Sequence, residues 1–186
     1  AHGYDNQANQ LTLSPLLLDS FLRLSLSIIE SPDFNETTVG IWNDFFRDPG
    51  DGDLRTEIRK RLQTFLLLAF RSAIEPETLD RYADYTFAKI QQGLSFTDAM
   101  KKAASATLSS PRFLLRYGST TEGKDLFVVA SNLSFFLWSS GPDLDLLRLA
   151  ESGELATLGA FRQTIDRMME DPRIERFLDT FPSQWM

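Results

Sequence analysis

Acidic side chains are the groups in this sequence best suited to chemistry, because they occur as four closely spaced pairs. Two carboxyl groups roughly 5–10 Å apart can divide the acid and base steps of glycoside hydrolysis between them. The pairs are Glu75/Glu77, Asp80/Asp84, Asp143/Asp145 and Asp166/Glu170. Helical structure explains them without catalysis, since acidic residues favour the electropositive first turn of a helix and Arg81 lies beside Asp80 and Asp84. We therefore predict no catalytic residue among these pairs, which leaves open whether the protein is an enzyme.

A second acidic group, Asp48, Asp51 and Asp53, lies in a glycine-rich stretch and is a candidate calcium site. Calcium is a hard cation that binds carboxylate and carbonyl oxygens. The spacing of the three residues does not match an EF-hand loop, and no Glu stands at the closing position. A solvated turn whose last carboxylate, that of Asp53, caps the next helix explains the same residues. We favour the turn over the metal site.

The composition excludes several other kinds of site. The 186 residues include no cysteine, which excludes disulfides, zinc–thiolate sites, iron–sulfur clusters and covalently attached haem within this chain. The single histidine, His2, lies in a polar terminal stretch, so a nucleophilic triad is not expected. The net charge of −7 argues against nucleic-acid binding. No apolar run approaches the roughly 20 residues of a membrane span, and we predict no cofactor in this chain.

Four basic residues, Arg55, Arg59, Lys60 and Arg61, form a candidate patch for a phosphate group or a partner protein. Glu57 interrupts the patch. A helix that packs on one side also needs a charged face towards solvent, which explains the same residues. We favour the solvated face.

Aromatic and methionine side chains are candidates for lining a haem edge, stacking on a sugar ring or binding haem iron axially. They are Trp138 with Phe135 and Phe136, Trp185 with Phe181, and the pair Met168 and Met169. At helical spacing such residues usually fill a core, and fifteen phenylalanines suit a helix-packed interior. We therefore favour a core position for all of them.

The elements that carry these residues are all predicted to be helices. Pro15 opens the first helix, which ends at residues 31–32, and a shorter helical segment is expected from about Glu36. Further helices are predicted to start at Asp53, Glu75, Ser95, Ser110, Asp125, Gly141, Thr157 and Asp171. The stretch from 125 to 139 is the most apolar and is expected to be central. Because no alternating strand pattern occurs, we predict an all-α fold, an irregular array of about eight to nine helices.

Three sets of residues resemble consecutive domains of unknown function from planctomycetes. They are residues 3–18; residues 65–71, 79–82, 96–99 and 110–116; and residues 130–140, 142–143, 146–147, 168–173 and 184–185. On this resemblance we divide the chain into three parts. Residues 1–50 are an N-terminal helical arm, the end of a preceding domain plus a linker. Residues 51–118 form a second helical domain, and residues 119–186 a third that we expect to be truncated at its C-terminus.

The resemblance also implies a cellular context. Such domains occur in large exported proteins and often accompany a cytochrome c-type haem domain, which implies a periplasmic or extracellular location, haem c in other domains, and neighbouring domains as partners. The candidate partner or pocket residues are Arg71, Arg112, Trp138 and Trp185. The chain departs from the usual pattern at Ser72 and Ala73, at Asn132, and at Pro182 and Ser183. Two functions follow as alternatives: a non-catalytic structural or interaction module, or part of the substrate or haem pocket of an envelope oxidoreductase.

Overall fold

The computed structural model describes residues 15–115 and 125–179. Within these ranges the chain forms eight α-helices and no β-strand, which confirms the predicted all-α class. The helices are α1 (Pro15–Ile29), α2 (Leu54–Phe70), α3 (Pro76–Gln91), α4 (Phe96–Leu108), α5 (Pro111–Leu114), α6 (Leu126–Trp138), α7 (Leu144–Glu151) and α8 (Leu158–Glu170). A π-helical turn covers Trp42–Phe46, 3-10 turns cover Glu154–Ala156 and Pro172–Ile174, and residues 175–179 are helical. None of these helices is both long enough and apolar enough to cross a membrane.

Side-chain caps start most of the helices, because the first N–H groups of a helix have no partner within it. The capping side chains, each accepting a hydrogen bond from a nearby backbone N–H, are Asp53, Ser95, Ser110, Asp125, Asp143, Thr157 and Asp171. Helix α7 begins later than the predicted start at Gly141. Its cap is Asp143, whose Oδ1 accepts a hydrogen bond of 3.0 Å from the N–H of Leu146.

The segment after α1 differs from the prediction. The helix expected from about Glu36 is not formed, and only the π-helical turn Trp42–Phe46 is helical there. The side chain of Asn35 explains the difference, because its Oδ1 accepts hydrogen bonds from both the N–H and the hydroxyl of Thr37. A side chain that bonds its own neighbouring backbone competes with the hydrogen bonds of a helix. The chain therefore turns here before it reaches the aromatic residues.

Helices α1 to α5 and the π-helical turn pack around a first hydrophobic core. Its fully or nearly fully buried members include Ile29, Phe45, Phe46, Ile58, Leu62, Leu66, Leu79, Phe96 and Met100. The ring of Phe45 stacks on that of Phe65, with centroids 4.3 Å apart. Arg61 Nη1 donates hydrogen bonds to the carbonyls of Phe45 and Arg47, at 3.1 and 2.6 Å. The π-helical turn is thereby attached to α2.

Helices α6, α7 and α8 pack around a second hydrophobic core. Its buried members are Ala130, Leu137, Trp138, Leu146, Ala150, Leu155 and Met168. Helix α6 supplies three of them. Its apolar sequence suggested a central helix, but α6 is not buried on all sides, since the side chain of Phe136 is 57% exposed. Contacts between α2 and α7 join the two cores.

Candidate functional site

Trp138 lies at the centre of a cluster of ion-paired side chains. Its side chain is fully buried. The indole N–H donates a hydrogen bond of 3.0 Å to the carbonyl of Met168, which joins α6 to α8. Arg173 covers one face of the indole, with its guanidinium carbon 3.5 Å from the ring centroid. Trp138 is therefore a core residue with a cation stacked on it, and its ring face is not open to a haem or a sugar.

Two carboxylates hold the arginines around Trp138. Asp143 accepts hydrogen bonds from Arg167 Nη1 at 2.7 Å and from Arg173 Nη2 at 3.4 Å. Asp171 accepts from Arg173 Nε and Nη2, at 2.8 and 2.7 Å. The network therefore links the cap of α7, the end of α8 and the 3-10 turn Pro172–Ile174.

The pKa values of the two carboxylates follow from these contacts. Burial raises the pKa of Asp143, but the hydrogen bonds from Arg167 and from the N–H of Leu146 outweigh burial, and the net pKa lies below its ordinary value. The side chain and the N–H of Arg173 lower the pKa of Asp171 from 3.8 to about 2. Both groups are therefore held as carboxylates, which suits ion pairing and not proton transfer at neutral pH.

Arg71 and Arg112, two of the predicted partner or pocket residues, come together at the junction of α2, α5 and α6. Arg71 Nη2 donates to the carbonyl of Phe113 at 2.9 Å, and its own backbone adopts a left-handed conformation (φ 54°) that ends α2. Arg112 Nη1 donates to Glu75 at 2.7 Å, and its guanidinium carbon lies 5.0 Å from the ring centroid of Phe70. Both guanidinium groups therefore hold helix ends together.

A small cavity lies beside these two arginines. Its polar lining comprises Arg71, Ser72, Arg112, Asp125 and Ser131, and its volume is about 80 Å³. Sites for drug-sized ligands usually enclose about 300–1,000 Å³. The cavity is thus large enough for a few water molecules and too small for a haem.

Three of the four acidic pairs have residues that cap or join helices. Asp80 accepts from Arg59 Nε at 2.8 Å and Asp84 pairs with Arg55, so both tie α3 to α2. The Arg112 side chain lowers the pKa of Glu75 by hydrogen bonding to its carboxylate. Asp143 belongs to the network around Trp138. The members of the fourth pair, Asp166 and Glu170, lie exposed on α8.

The basic patch on α2 forms ion pairs within the protein. Besides the pairs of Arg55 and Arg59 with α3, Arg61 Nε donates to Glu57 at 2.7 Å, and Lys60 Nζ lies 3.9 Å from the same carboxylate. The Arg61 side chain lowers the pKa of Glu57 through this hydrogen bond. Arg61 is also largely buried, with 10% of its side chain exposed. Arg55, Arg59 and Arg61 therefore join α2 to neighbouring elements, and Lys60 lies beside Glu57 of the same helix.

The three aspartates of the candidate calcium site are exposed, and Asp48 and Asp53 bind groups close to them in sequence. Asp48 Oδ1 accepts from the N–H of Gly50 at 2.8 Å, and Asp53 accepts from the N–H of Arg55 at 3.1 Å. A hydrogen bond from the Thr56 hydroxyl lowers the pKa of Asp53. Within the described ranges, no group of three or more His, Cys, Asp or Glu side chains has the arrangement of a metal site. Asp53 has the capping role predicted for it.

The remaining predicted residues divide between the core, the surface and the part of the chain outside the described ranges. Met168 is fully buried, whereas Met169 is 59% exposed, so the expectation of a core position is wrong for Met169 and for Phe136. Phe136 lies in an open apolar groove that Phe135 of α6 and Phe161 of α8 also line. Phe177 packs on its ring at 5.1 Å. His2, the stretch 116–124, Phe181, Pro182, Ser183 and Trp185 lie outside the described residues.

An apolar stripe on the surface of α1 was not predicted from the sequence, which did not distinguish the exposed apolar residues of this helix from the buried ones. The stripe consists of Leu17, Phe21, Leu24 and Ile28, which recur at helical spacing, and Phe21 among them is half-buried. Leu24 and Ile28 are 54% and 50% exposed. The neighbouring face, with Ser25 and Ile29, is buried against α4. The signal was present in the sequence, because α1 carries more apolar positions than one packed face requires.

Two family models match parts of the chain. Residues 125–186 match the family described as PSD4, protein of unknown function (DUF1592), and residues 57–117 match the family described as PSD5, protein of unknown function (DUF1595). No curated protein and no solved structure matches the chain. Over these two consecutive segments, which hold α2 to α5 and α6 to α8, the chain is similar to two domains of unknown function.

Proposed function

We propose that this chain is a non-catalytic interaction module of a large cell-envelope protein, where it packs against a neighbouring cytochrome c-type domain. The α1 stripe is the observation that carries the proposal. Exposed apolar side chains that form a continuous strip on one helix are typical of surfaces covered by a partner. The cell-envelope setting and the haem-bearing neighbour rest on the resemblance of the sequence to consecutive planctomycete domains.

The roles of the charged residues support a structural function. The arginines at positions 59, 61, 71, 112 and 173 each bind a carboxylate or a backbone carbonyl on another element. Charged groups used in this way hold short helices in a fixed arrangement. A rigid array of this kind suits the presentation of the α1 stripe to a partner.

The alternative, that these helices form part of the substrate or haem pocket of an envelope oxidoreductase, has less support. A pocket for this function was expected near Trp138 or Arg112; the ring of Trp138 is covered, and polar groups do converge beside Arg112. The volume of about 80 Å³ is too small for a haem, and the guanidinium groups there already bind Glu75 and the carbonyl of Phe113. The interaction module is therefore the better-supported function.

Calorimetric titration of the chain with the cytochrome c-type domain from the same protein tests the proposal. We expect a dissociation constant in the micromolar range or below. The double substitution Leu24→Ser/Ile28→Ser should weaken binding at least about tenfold, which corresponds to about 1.4 kcal/mol. Complete burial of one such side chain contributes roughly 1.5–3 kcal/mol, and the double substitution removes two of them. Leu158→Ser, at an exposed position on α8, is the matched control and should leave binding unchanged.

Two results would contradict the proposal. The first is the absence of a heat of binding when both proteins are present at about 100 times the expected micromolar dissociation constant. The second is equal weakening by the α1 and α8 substitutions, which would mean that general surface hydrophobicity and not the α1 stripe drives association.

A further inference from the structure

The chain contains two Asn-x-Ser/Thr triplets, Asn35-Glu36-Thr37 and Asn132-Leu133-Ser134. This triplet is the acceptor sequence for N-glycosylation in exported proteins. The enzyme must reach the Asn carboxamide and the hydroxyl two residues later at the same time. The structure places the two triplets in very different settings.

The first triplet lies in the turns between α1 and the π-helical turn. Glu36 and Thr37 are exposed, and Asn35 is half-buried. Asn35 Oδ1 accepts hydrogen bonds from the N–H of Thr37 at 3.0 Å and from its hydroxyl at 2.6 Å. The hydroxyl that the enzyme reads therefore already lies against the carboxamide.

The reacting nitrogen of Asn35 is held by one contact. Asn35 Nδ2 donates a hydrogen bond of 2.9 Å to the carbonyl of Pro32 at the surface. Rotation of the Asn35 side chain breaks that bond without disturbing the core, because the partner is a loop carbonyl. Phe34, on the core side of the turn, stays packed on Phe46 with ring centroids 5.2 Å apart.

The second triplet lies in the middle of α6. Asn132 is exposed, but Ser134 is fully buried and its hydroxyl donates to the carbonyl of Ser131 at 3.1 Å. Presenting both groups to an enzyme would require α6 to unwind and Ser134 to leave the second core. The folded chain therefore offers one accessible triplet and one inaccessible triplet.

We propose that Asn35 is an N-glycosylation site of the folded protein and that Asn132 is not. The donor is an oligosaccharide linked to a polyprenyl pyrophosphate. A bond forms between Asn35 Nδ2 and the anomeric carbon of the sugar, and the bond from that carbon to the pyrophosphate oxygen breaks. The polyprenyl pyrophosphate leaves with the electron pair, the proton lost from Nδ2 passes to solvent, and nothing is oxidised or reduced.

The site also has a defined position relative to the α1 stripe. Asn35 follows the end of α1 by six residues, in the turn that leads the chain away from that helix.

The modification requires passage through an export pathway but no binding to a haem domain. A chain that accepts a glycan yet binds no haem domain would thus count against the proposed function alone.

Intact-mass measurement after incubation of the folded 186-residue chain with a single-subunit oligosaccharyltransferase and lipid-linked oligosaccharide tests the proposal. We expect a gain of one glycan per chain, mapped to Asn35. Asn35→Gln and Thr37→Ala should reduce the gain at least tenfold, whereas Thr37→Ser should retain it. Asn132→Gln is the matched control and should leave it unchanged, and circular dichroism checks that each variant is folded.

Three outcomes would overturn the proposal. One is an unmodified folded chain while a peptide of residues 31–41 is modified, because the turn would then not be an acceptor in its folded form. Another is failure of both the chain and the peptide. The third is a glycan on Asn132 at a rate comparable with Asn35, because the fold would then not select between the triplets.

Discussion

Replacing Arg173 with Met tests whether the charge network around Trp138 holds the second core together. Met keeps an unbranched apolar stem over the indole but removes the guanidinium group. In the wild-type protein that group lies 3.5 Å from the centroid of the Trp138 ring and binds both Asp143 and Asp171. The substitution therefore removes the stacked cation and two ion pairs and creates little empty space.

The expected loss can be worked out contact by contact. A cation stacked on a Trp ring contributes about 0.5–1 kcal/mol when exposed and about 2 kcal/mol when desolvated. With 32% of the Arg173 side chain exposed, an intermediate value of about 1–1.5 kcal/mol applies. Asp143 keeps its shorter bond to Arg167, and the pair of Arg173 with Asp171 is partly exposed to solvent, so losing the two ion pairs adds only a few tenths of a kcal/mol. We expect Arg173→Met to lower the free energy of unfolding by about 1–2 kcal/mol.

Urea unfolding followed by far-ultraviolet circular dichroism measures this loss. With a denaturant slope of about 2 kcal/mol per molar urea, the midpoint should fall by about 0.5–1 M. Arg162→Met, at an exposed position on α8, is the matched control and should stay within about 0.5 kcal/mol of wild type. A midpoint for Arg173→Met equal to that of the control would refute the role assigned to the stacked guanidinium.

Further substitutions probe the same core. Asp171→Asn keeps the cap but removes the charge. Because the pKa of Asp171 falls from 3.8 to about 2 on folding, the contribution of the charge is complete only above about pH 5 and is lost as the pH falls towards 2. The difference in melting temperature between wild type and Asp171→Asn should therefore shrink over that range, and a difference that grows instead would contradict the assignment. Met168→Ala should cost about 2–4 kcal/mol, because it opens a cavity at a fully buried position. Met169→Ala, at its exposed neighbour, should cost less than about 0.5 kcal/mol, and equal losses in urea unfolding would count against the placement of α8.

Local features of this fold could be predicted from the sequence where a single side chain acts on its own neighbours. Asp53, Ser95 and Thr157 cap helices as predicted, because a cap depends on residues two or three positions away. The prediction made in the same way for the segment after α1 was wrong. The apolar residues from Val39 to Phe46 suggested a helix from about Glu36, but the hydrogen bonds between Asn35 and Thr37 turn the chain first.

Features that join distant residues could not be predicted in the same way. The contact between Arg173 and Trp138 spans two helices and a turn, and nothing in the local pattern around either residue indicates it. The same is true of Arg71 and Arg112, which were singled out from the resemblance and bind helix ends in the structure. Predicting such pairs requires the relative placement of helices, which depends on the packing of the whole core.

The division of the chain into an arm and two domains remains a prediction. Ile29, Phe45 and Phe46, from the predicted arm, are buried in the first core together with residues of α2 to α4. The described structure thus gives the arm a packing role, and the choice of boundary at residue 50 rests on the break at residues 48–53 in the sequence.

The proposed function requires that a neighbouring domain cover the α1 stripe. Because the chain has no cysteine, the thiol introduced by Leu24→Cys is the only thiol in it, and Leu158→Cys on α8 is the control. The measurement is the rate at which the introduced thiol is labelled, read from the mass of the peptide that carries it, in the isolated chain and in a longer protein that includes the proposed neighbouring domain. We expect the Leu24→Cys rate to fall at least tenfold in the longer protein while the control rate is unchanged. Equal Leu24→Cys rates in the two forms would contradict the proposed function.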